Sequence, residues 1–269
     1  MAHIRSRFVL CLAVVVVLVL AAGGLVTAAP PDGVAKGPPQ MGKIVSIHYP
    51  RGLEARGGVP GGPDKPGKPD GGTKDWFKYS GIHWAIPDVK YSVNLLNSGG
   101  DETFLAGVIE AFDEWEDAPS GIGFECLGLS SDAPSSFVGD EKYDGSNQIG
   151  WVDISSRYPR AIAVTMTWYN TQTGLIAEVD LAFNAALSWA QADIGAVDPD
   201  TVTGVSGYYD VQNIATHEAG HWLLLGDLYN KPTTAQTMYG YGSLGELQKR
   251  SLESGDEAGV KTIYPPSTP

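Results

Sequence analysis

Two histidines at helical spacing, with a glutamate beside the first, could bind a metal and activate a water molecule. His217-Glu218-Ala219-Gly220-His221 has the form H-E-x-x-H. Residues four apart lie about 40° apart around a helix, so both imidazoles face one point and Glu218 is placed to take a proton from metal-bound water. The flanking residues are apolar, and burying these polar side chains among them is costly without a metal. The motif therefore predicts a metal site on a helix.

A catalytic zinc needs a third protein ligand and one open position for water. No histidine follows His221, and the other three lie far upstream: His3, His48 and His83. The nearest downstream acid is Asp227, which on a continued helix would point about 120° away from His221. We therefore expect the helix to end first, with Gly226 supplying a left-handed turn, and Asp227 to be the third ligand. A helix-end or calcium-binding carboxylate is the alternative for Asp227. Weaker ligand candidates are Glu246, Glu253 and Asp256.

Hydrophobic periodicity predicts strands and helices that would position this motif. The predicted strands span residues 89–96, 122–129, 147–154, 161–169 and 175–184, with a further short strand within 40–49. The predicted helices span residues 101–115, 212–225 and 254–263. Asp210 is the expected N-cap of the second helix, and Ser254 with Glu257 fits a capping box at the third. Because strands and helices interleave, the predicted class is a mixed α/β or α+β fold.

The N-terminal sequence has the features of a secretory signal peptide over residues 1–28. Arg5 and Arg7 precede an apolar run at 8–22, and Val26-Thr27-Ala28 fits a cleavage site. A membrane tether is the alternative if this signal is not cleaved. Residues 29–73 are interpreted as a pro-region and linker, since 13 of the 23 residues at 50–72 are Gly or Pro. One domain is then expected at 74–265, in a secreted chain that is monomeric.

Charge and cysteine content exclude several classes of function. Acidic residues outnumber basic ones 31 to 18, a net charge of −13, whereas nucleic-acid binding needs clustered Lys and Arg. Two cysteines exclude a disulfide framework and a CxxC-type metal site. We expect no nucleic-acid partner and no membrane contact beyond the signal peptide.

Several motifs together resemble the metzincin zinc metalloproteases, and the matrixin branch in particular. Residues 217–229 (HEAGHWLLLGDLY) resemble the long zinc motif H-E-x-x-H-x-x-G-x-x-H/D. Residues 237–240 (TMYG) resemble the Met-turn, and residues 256–264 resemble the D-x-x-G-x-x-x-L-Y closing helix. Upstream, residues 178–184 with Trp189, and residues 111–115, are similar to the strand and first helix of matrixins. The resemblance extends over about residues 76–264.

This resemblance implies an α+β metzincin fold and a secreted zinc endopeptidase. The fold would be a twisted five-stranded mixed sheet with one antiparallel edge strand, an active-site helix, a Met-turn and a C-terminal helix. One Zn²⁺ would be held by His217, His221 and Asp227, with Glu218 as general base and Met238 beneath the metal. A protein or peptide substrate would add as a strand to the edge strand at 161–169. The residues expected to line it are Ala161, Ile162, Ala163, Val164 and Thr165.

The sequence departs from the family pattern and leaves alternatives open. Leu224 stands at the family's glycine and Asp227 at its third histidine, and residues 29–73 contain no cysteine that could hold the metal latent. An inactive binding module on the same scaffold, a zinc hydrolase of cell-wall peptides, and another zincin clan are the competing interpretations. Clustered Asp and Gly at 132–147 and 193–210 could bind Ca²⁺ or merely be solvated.

Overall fold

The computed structural model describes residues 40–52, 76–193 and 202–266. Within these residues the fold is α+β, with a mixed, mostly parallel main sheet and three α-helices. The main sheet is built from β1 (Met41–Pro50), β2 (Asp88–Asn94), β3 (Gly123–Leu129), β4 (Gln148–Val152), β5 (Ala163–Asn170), β6 (Ile176–Asn184) and β9 (Tyr241–Gly242). A separate pair consists of β7 (Trp189–Ala190) and β8 (Tyr209–Asp210). The predicted signal peptide at 1–28 and the Gly- and Pro-rich residues 53–72 lie outside the described residues.

The strand order of the main sheet is β3-β2-β4-β6-β5-β1-β9. Neighbouring strands pair in parallel except at β5, which is antiparallel to both β6 and β1. Within the main sheet of the described residues, β5 is therefore the one strand that is antiparallel to its neighbours. A single antiparallel strand was expected.

Two expectations about the sheet were wrong. The sheet has seven strands instead of five, because β1 and β9 extend it beyond β5. For the same reason β5 is an internal strand and not an edge: β1 pairs with it from Met41↔Asn170 to His48↔Ala163. Ala161 and Ile162, expected within the edge strand, precede β5.

The helices are α1 (Glu102–Asp117), α2 (Val211–Trp222) and α3 (Ser254–Ile263). Asp101 caps α1 by accepting a hydrogen bond from the backbone N–H of Thr103. The apolar positions of α1 recur at helical spacing and are buried against α2 and the sheet: Phe104, Val108, Ala111, Phe112 and Trp115. Trp115 fixes the two helices together, because its Nε1 donates to the Thr216 carbonyl at 2.8 Å.

The third helix has the predicted bounds but a different cap. Glu253 is the N-cap, and the capping box is formed by Glu253 and Asp256, not by Ser254 and Glu257. The chain is still extended at Glu253, so the first helical residue is Ser254 and the side chain three positions after the cap is Asp256. None of the described helices is long and apolar enough to cross a membrane.

Candidate metal centre

The helix that carries the H-E-x-x-H motif is buried over almost its whole length. Asp210 caps α2 as predicted, accepting from the Asn213 backbone N–H at 2.9 Å. Arg250 binds both oxygens of the same carboxylate at 2.8 and 2.7 Å, which holds the cap in place. His217 and Glu218 are fully buried and His221 is nearly so. The motif thus lies inside the molecule and not on a solvated helix surface.

The chain leaves α2 through a Schellman turn at Leu224. The Leu225 N–H bonds to the Gly220 carbonyl and the Leu224 N–H to the His221 carbonyl, each at 3.0 Å. Leu224 itself has φ +61°. The expectation that Gly226 supplies the left-handed residue was therefore wrong: the turn stays at Leu224, whose buried side chain packs in the main core.

This turn brings Asp227 back to the two histidines. Its Oδ1 lies 3.2 Å from His217 Nε2 and 3.5 Å from His221 Nε2. The other ring nitrogens face carbonyl oxygens, His217 Nδ1 at 2.7 Å from Thr237 O and His221 Nδ1 at 2.8 Å from Leu225 O. A carbonyl only accepts, so each Nδ1 carries a proton, and each Nε2 is the atom that could offer a lone pair to a metal.

The three converging atoms fit a cation. His217 Nε2, His221 Nε2 and Asp227 Oδ1 are buried and have no hydrogen-bond partner. The three atoms all lie within 4.8 Å of one another, and electron-rich atoms this close repel one another unless a positive charge, from a metal ion or a proton, lies between them. Two imidazoles and one carboxylate also match the ligand number of a metal site that keeps a position open.

Without a metal, a proton would occupy the space between the two imidazoles and the Asp227 carboxylate. Burial lowers the pKa of His217 to about 4. Burial also opposes the charged form of His221, but Asp227 outweighs it and raises the pKa of that imidazole to about 9. Burial likewise works against the ionised Asp227, yet His221 and His217 hold its pKa well below the usual value. The carboxylate is thus the charged anchor of the cluster, and metal binding must displace the proton of His221.

Glu218 lies beside these three side chains, with one carboxylate oxygen hydrogen-bonded and the other without a hydrogen-bond partner. Its Oε2 accepts from Thr165 Oγ1 at 2.6 Å, whereas its Oε1 is buried and has no hydrogen-bond partner. Burial raises the pKa of Glu218 to about 7. A carboxyl group with this pKa is suited to accept and return a proton near neutral pH. Thr165, predicted only as a substrate-strand residue, orients this group.

Met238 packs under the turn of α2 that carries the histidines. An added Cβ at Gly220 would lie 2.2 Å from Met238 Sδ, so the glycine of the motif is what allows this contact. The backbone around Met238 is held by buried Asp256, which accepts from the N–H groups of Thr237 at 2.8 Å and Met238 at 3.1 Å. Asp256 therefore positions the carbonyl that orients His217, a role that the sequence analysis did not assign to it.

The other candidate residues are not among the converging side chains. Glu246 pairs with Arg51 and Lys249, and Glu253 caps α3. Ala161, Ile162, Ala163 and Val164 are fully buried beside β1 and β6. Among the described residues, groups of three or more His, Cys, Asp or Glu side chains converge at two places, and both groups include His217. Neither group includes a residue of 132–147, the first segment considered for calcium. Much of the second calcium segment, 193–210, lies outside the described residues.

His48 is a site residue that the sequence analysis missed. It is fully buried on β1, with its ring centroid 3.9 Å from that of His217 and its Nδ1 3.5 Å from Glu218 Oε1. These three side chains form the second converging cluster. The short apolar stretch at 40–49 indicated a strand, but only the pairing of β1 with β5 places a residue so far upstream beside α2.

Neither a scan against protein-family models nor a search of the curated proteins finds a match for this chain.

Proposed function

We propose that this protein is a secreted, monomeric zinc-dependent endopeptidase of the metzincin type, with a matrixin-like catalytic domain. The observation that carries the proposal is the convergence of His217 Nε2, His221 Nε2 and Asp227 Oδ1, three buried atoms without partners, beside the carboxyl group of Glu218. The α+β fold with its mixed, mostly parallel sheet is compatible with the proposal. Protein or peptide is the proposed substrate.

Zinc suits this donor set better than the harder cations. Imidazole nitrogens are ligands that Zn²⁺ binds well, whereas Mg²⁺ and Ca²⁺ prefer oxygen donors throughout. The two Nδ1–H groups are held by the Thr237 and Leu225 carbonyls, the kind of outer hydrogen bond that orients metal-binding imidazoles. A calcium ion elsewhere in the chain stays a prediction.

The residues around the cluster support hydrolysis of a peptide bond. When bound, Zn²⁺ supplies a Lewis acid that polarises a carbonyl and lowers the pKa of its water towards about 7. Glu218 takes the proton from the attacking water and passes it to the leaving amine. Thr165 holds the other oxygen of Glu218 so that Oε1 is directed to this task. Asp227 contributes a negative charge that partly neutralises the metal.

Replacement of the third ligand tests this assignment. Asp227→Ala leaves two imidazoles, and we expect the zinc affinity of the full chain to fall by at least 100-fold, measured by competition with a chromogenic chelator. Glu125→Ala is the control, because Glu125 is exposed and pairs only with Lys90. Unchanged zinc affinity in Asp227→Ala would remove Asp227 from the ligand set and, with it, the proposed centre.

A further inference from the structure

The two oxygens of the Asp227 carboxylate have different surroundings. Oδ1 faces the imidazoles of His217 and His221 and has no hydrogen-bond partner. Oδ2 accepts a hydrogen bond from the Tyr229 hydroxyl at 3.0 Å. An ionised carboxylate only accepts hydrogen bonds, so the single proton of the phenol is directed to Oδ2. Tyr229 therefore fixes which oxygen of Asp227 is turned towards the two histidines.

The extended chain at Leu228 brings these two side chains together. The Leu228 N–H donates to the Met238 carbonyl at 2.8 Å, and the Gly240 N–H donates to the Leu228 carbonyl at 3.0 Å. Residues two apart in an extended segment project to the same side. Asp227 and Tyr229 therefore lie together, whereas the Leu228 side chain packs in the main core. The same pairing fixes Tyr229 to the turn that carries Met238.

The Tyr229 ring is packed closely enough to hold its hydroxyl in place. A Cβ at Gly240 would lie 2.7 Å from Tyr229 Cζ and 2.9 Å from Asp227 Oδ1, so this glycine allows both groups to lie against the backbone. The Tyr241 ring meets the Tyr229 ring edge-on, with 5.2 Å between the centroids, and Lys78 Nζ lies 5.6 Å from the Tyr229 centroid. A hydroxyl on a ring held in this way keeps its bond to Oδ2 at little further cost in conformational entropy.

The choice of oxygen matters because a carboxylate can bind a metal through one oxygen or through both. Binding through both would require Oδ2 to turn away from Tyr229 and lose a hydrogen bond that the carboxylate charge strengthens. Catalytic Zn²⁺ binds three protein ligands and keeps one position open. Cations that bind more oxygen atoms, such as Ca²⁺, often bind both oxygens of a carboxylate. The hydroxyl on Oδ2 therefore favours one-oxygen binding and an open fourth position.

We propose that Tyr229 is the positioning residue of this centre: by holding Oδ2 it makes Asp227 a one-oxygen ligand, and so favours Zn²⁺ over cations that bind both oxygens of a carboxylate. The inference rests on the metal centre of the proposed function, but it does not require that the centre cleaves peptides. Tyr229 acts through Asp227 and is not itself a ligand.

Tyr229→Phe removes the hydroxyl and keeps the ring. Outer hydrogen-bond partners of metal ligands typically contribute about 10–100-fold to metal affinity, so we expect the Zn²⁺ affinity of the full chain to fall by at least about 10-fold. Competition with a chromogenic chelator measures it. The Mn²⁺ affinity, measured from the EPR signal of the free ion, should fall by less than about threefold, because the released Oδ2 offers this oxygen-preferring cation a second donor.

Tyr158→Phe is the matched control. Tyr158 is also partly buried, with Arg157 Cζ 5.3 Å from its ring centroid, and it packs against a separate small cluster that includes Ile154. We expect this variant to bind both metals within about twofold of the natural chain. Equal Zn²⁺ affinity in Tyr229→Phe and the natural chain would overturn the proposal. An equal loss for Zn²⁺ and Mn²⁺ would also overturn it, because it would indicate a general loosening of the site.

A double-mutant cycle tests whether the hydroxyl acts through the carboxylate. Asp227→Ala removes Oδ2, so adding Tyr229→Phe to that variant should change the remaining Zn²⁺ affinity by less than about twofold. If Tyr229→Phe caused the same loss of affinity in both backgrounds, Tyr229 would not act through Asp227, and the proposal would be wrong.

Casein cleavage separates this inference from the proposed peptidase. Metal affinities in the expected order, without cleavage by the natural chain, would uphold the role of Tyr229 and contradict the peptidase. Cleavage by the natural chain, together with an unchanged Zn²⁺ affinity in Tyr229→Phe, would overturn the role of Tyr229 and uphold the peptidase.

Discussion

Leu224 shows at the residue scale how Asp227, the proposed third ligand, is positioned. A non-glycine residue at φ +61° costs about 1 kcal/mol, and the Schellman turn requires that conformation for the chain to return Asp227 to the histidines. The leucine side chain offsets the strain, because it is 7% exposed and packs in the main core. Burial of a leucine contributes about 2 kcal/mol, more than the strain removes.

A pair of substitutions at this position reveals the strain. Leu224→Gly and Leu224→Ala both lose the buried side chain, but only glycine accepts a positive φ freely. We expect Leu224→Gly to be more stable than Leu224→Ala by about 1 kcal/mol in urea unfolding. At Leu223, where φ is −88°, alanine should be the more stable replacement by about 0.5–1 kcal/mol. The same order at both positions would contradict the account of the turn.

Sequence alone predicted those residues of the cluster that lie close together along the chain. His217, Glu218 and His221 follow from helical spacing, and Asp227 from being the nearest downstream acid. The position of the turn was not predictable, because the leucine conformation depends on what its side chain contacts. The placement of His48 and Thr165 beside Glu218 depends on contacts between distant parts of the chain, which no local pattern encodes.

At the scale of elements, Asp256 joins the third helix to the turn that carries Met238. Its carboxylate accepts from three backbone N–H groups, those of Thr237, Met238 and Glu253. The Thr237 carbonyl in turn accepts from His217 Nδ1. The start of α3, the turn at Met238 and the His217 side chain therefore form one hydrogen-bonded unit.

Asp256→Asn should disturb this unit although it conserves shape. Asparagine offers one oxygen and one NH₂ group, so at least one backbone N–H would face a donor in a buried place. We expect a loss of 1–3 kcal/mol in unfolding free energy, with a several-fold weaker zinc affinity. Glu257→Gln, on the exposed side of the same helix, should change stability by less than about 0.5 kcal/mol. If Asp256→Asn were as stable and bound zinc as tightly as the natural chain, Asp256 would have no positioning role.

The longer strands and the three α-helices were predicted to within a few residues at each end, since periodicity and capping residues are local signals, whereas the two-residue strands β7, β8 and β9 were not predicted. Which strands lie side by side in the sheet could not be predicted in this way. The number of strands was wrong because the pairing of β1 and β9 beyond β5 joins residues about 120 positions apart or more, and it is set by complementary surfaces and not by periodicity.

At the scale of the whole molecule, buried acidic groups on β6 hold the segment before β4. Glu178 accepts from the N–H groups of Asp144 and Gly145, and Asp180 from those of Ser136 and Gln148. Burial raises the pKa of Glu178 to about 7 and that of Asp180 to about 6. The net charge of −13 adds general repulsion, but the strongest pH dependence is expected from these buried carboxyls.

The sign of this pH dependence follows from the raised pKa of Glu178. The folded state holds the proton up to about pH 7, whereas the unfolded state loses it near 4.5. The stabilisation is therefore fully present below 4.5 and is lost as the pH rises through 7. Glu178→Gln stays neutral and can still accept both backbone N–H groups.

We expect Glu178→Gln to be more stable than the natural chain by roughly 1–3 kcal/mol at pH 8, since one pKa unit corresponds to about 1.4 kcal/mol. Near pH 4.5 the difference should nearly vanish. Urea unfolding across pH 4.5–8 measures it, with exposed Glu125→Gln as the control. A difference that does not change with pH would contradict the raised pKa.

The measurement that tests the central claim most directly is the zinc content and casein cleavage of the full chain and of Glu218→Gln. We predict one zinc per chain in both proteins, cleavage by the natural chain, and a loss of that cleavage by about 10²–10⁴-fold in Glu218→Gln. Chains that bind no zinc, or a Glu218→Gln variant that binds zinc and cleaves as fast as its parent, would contradict the account.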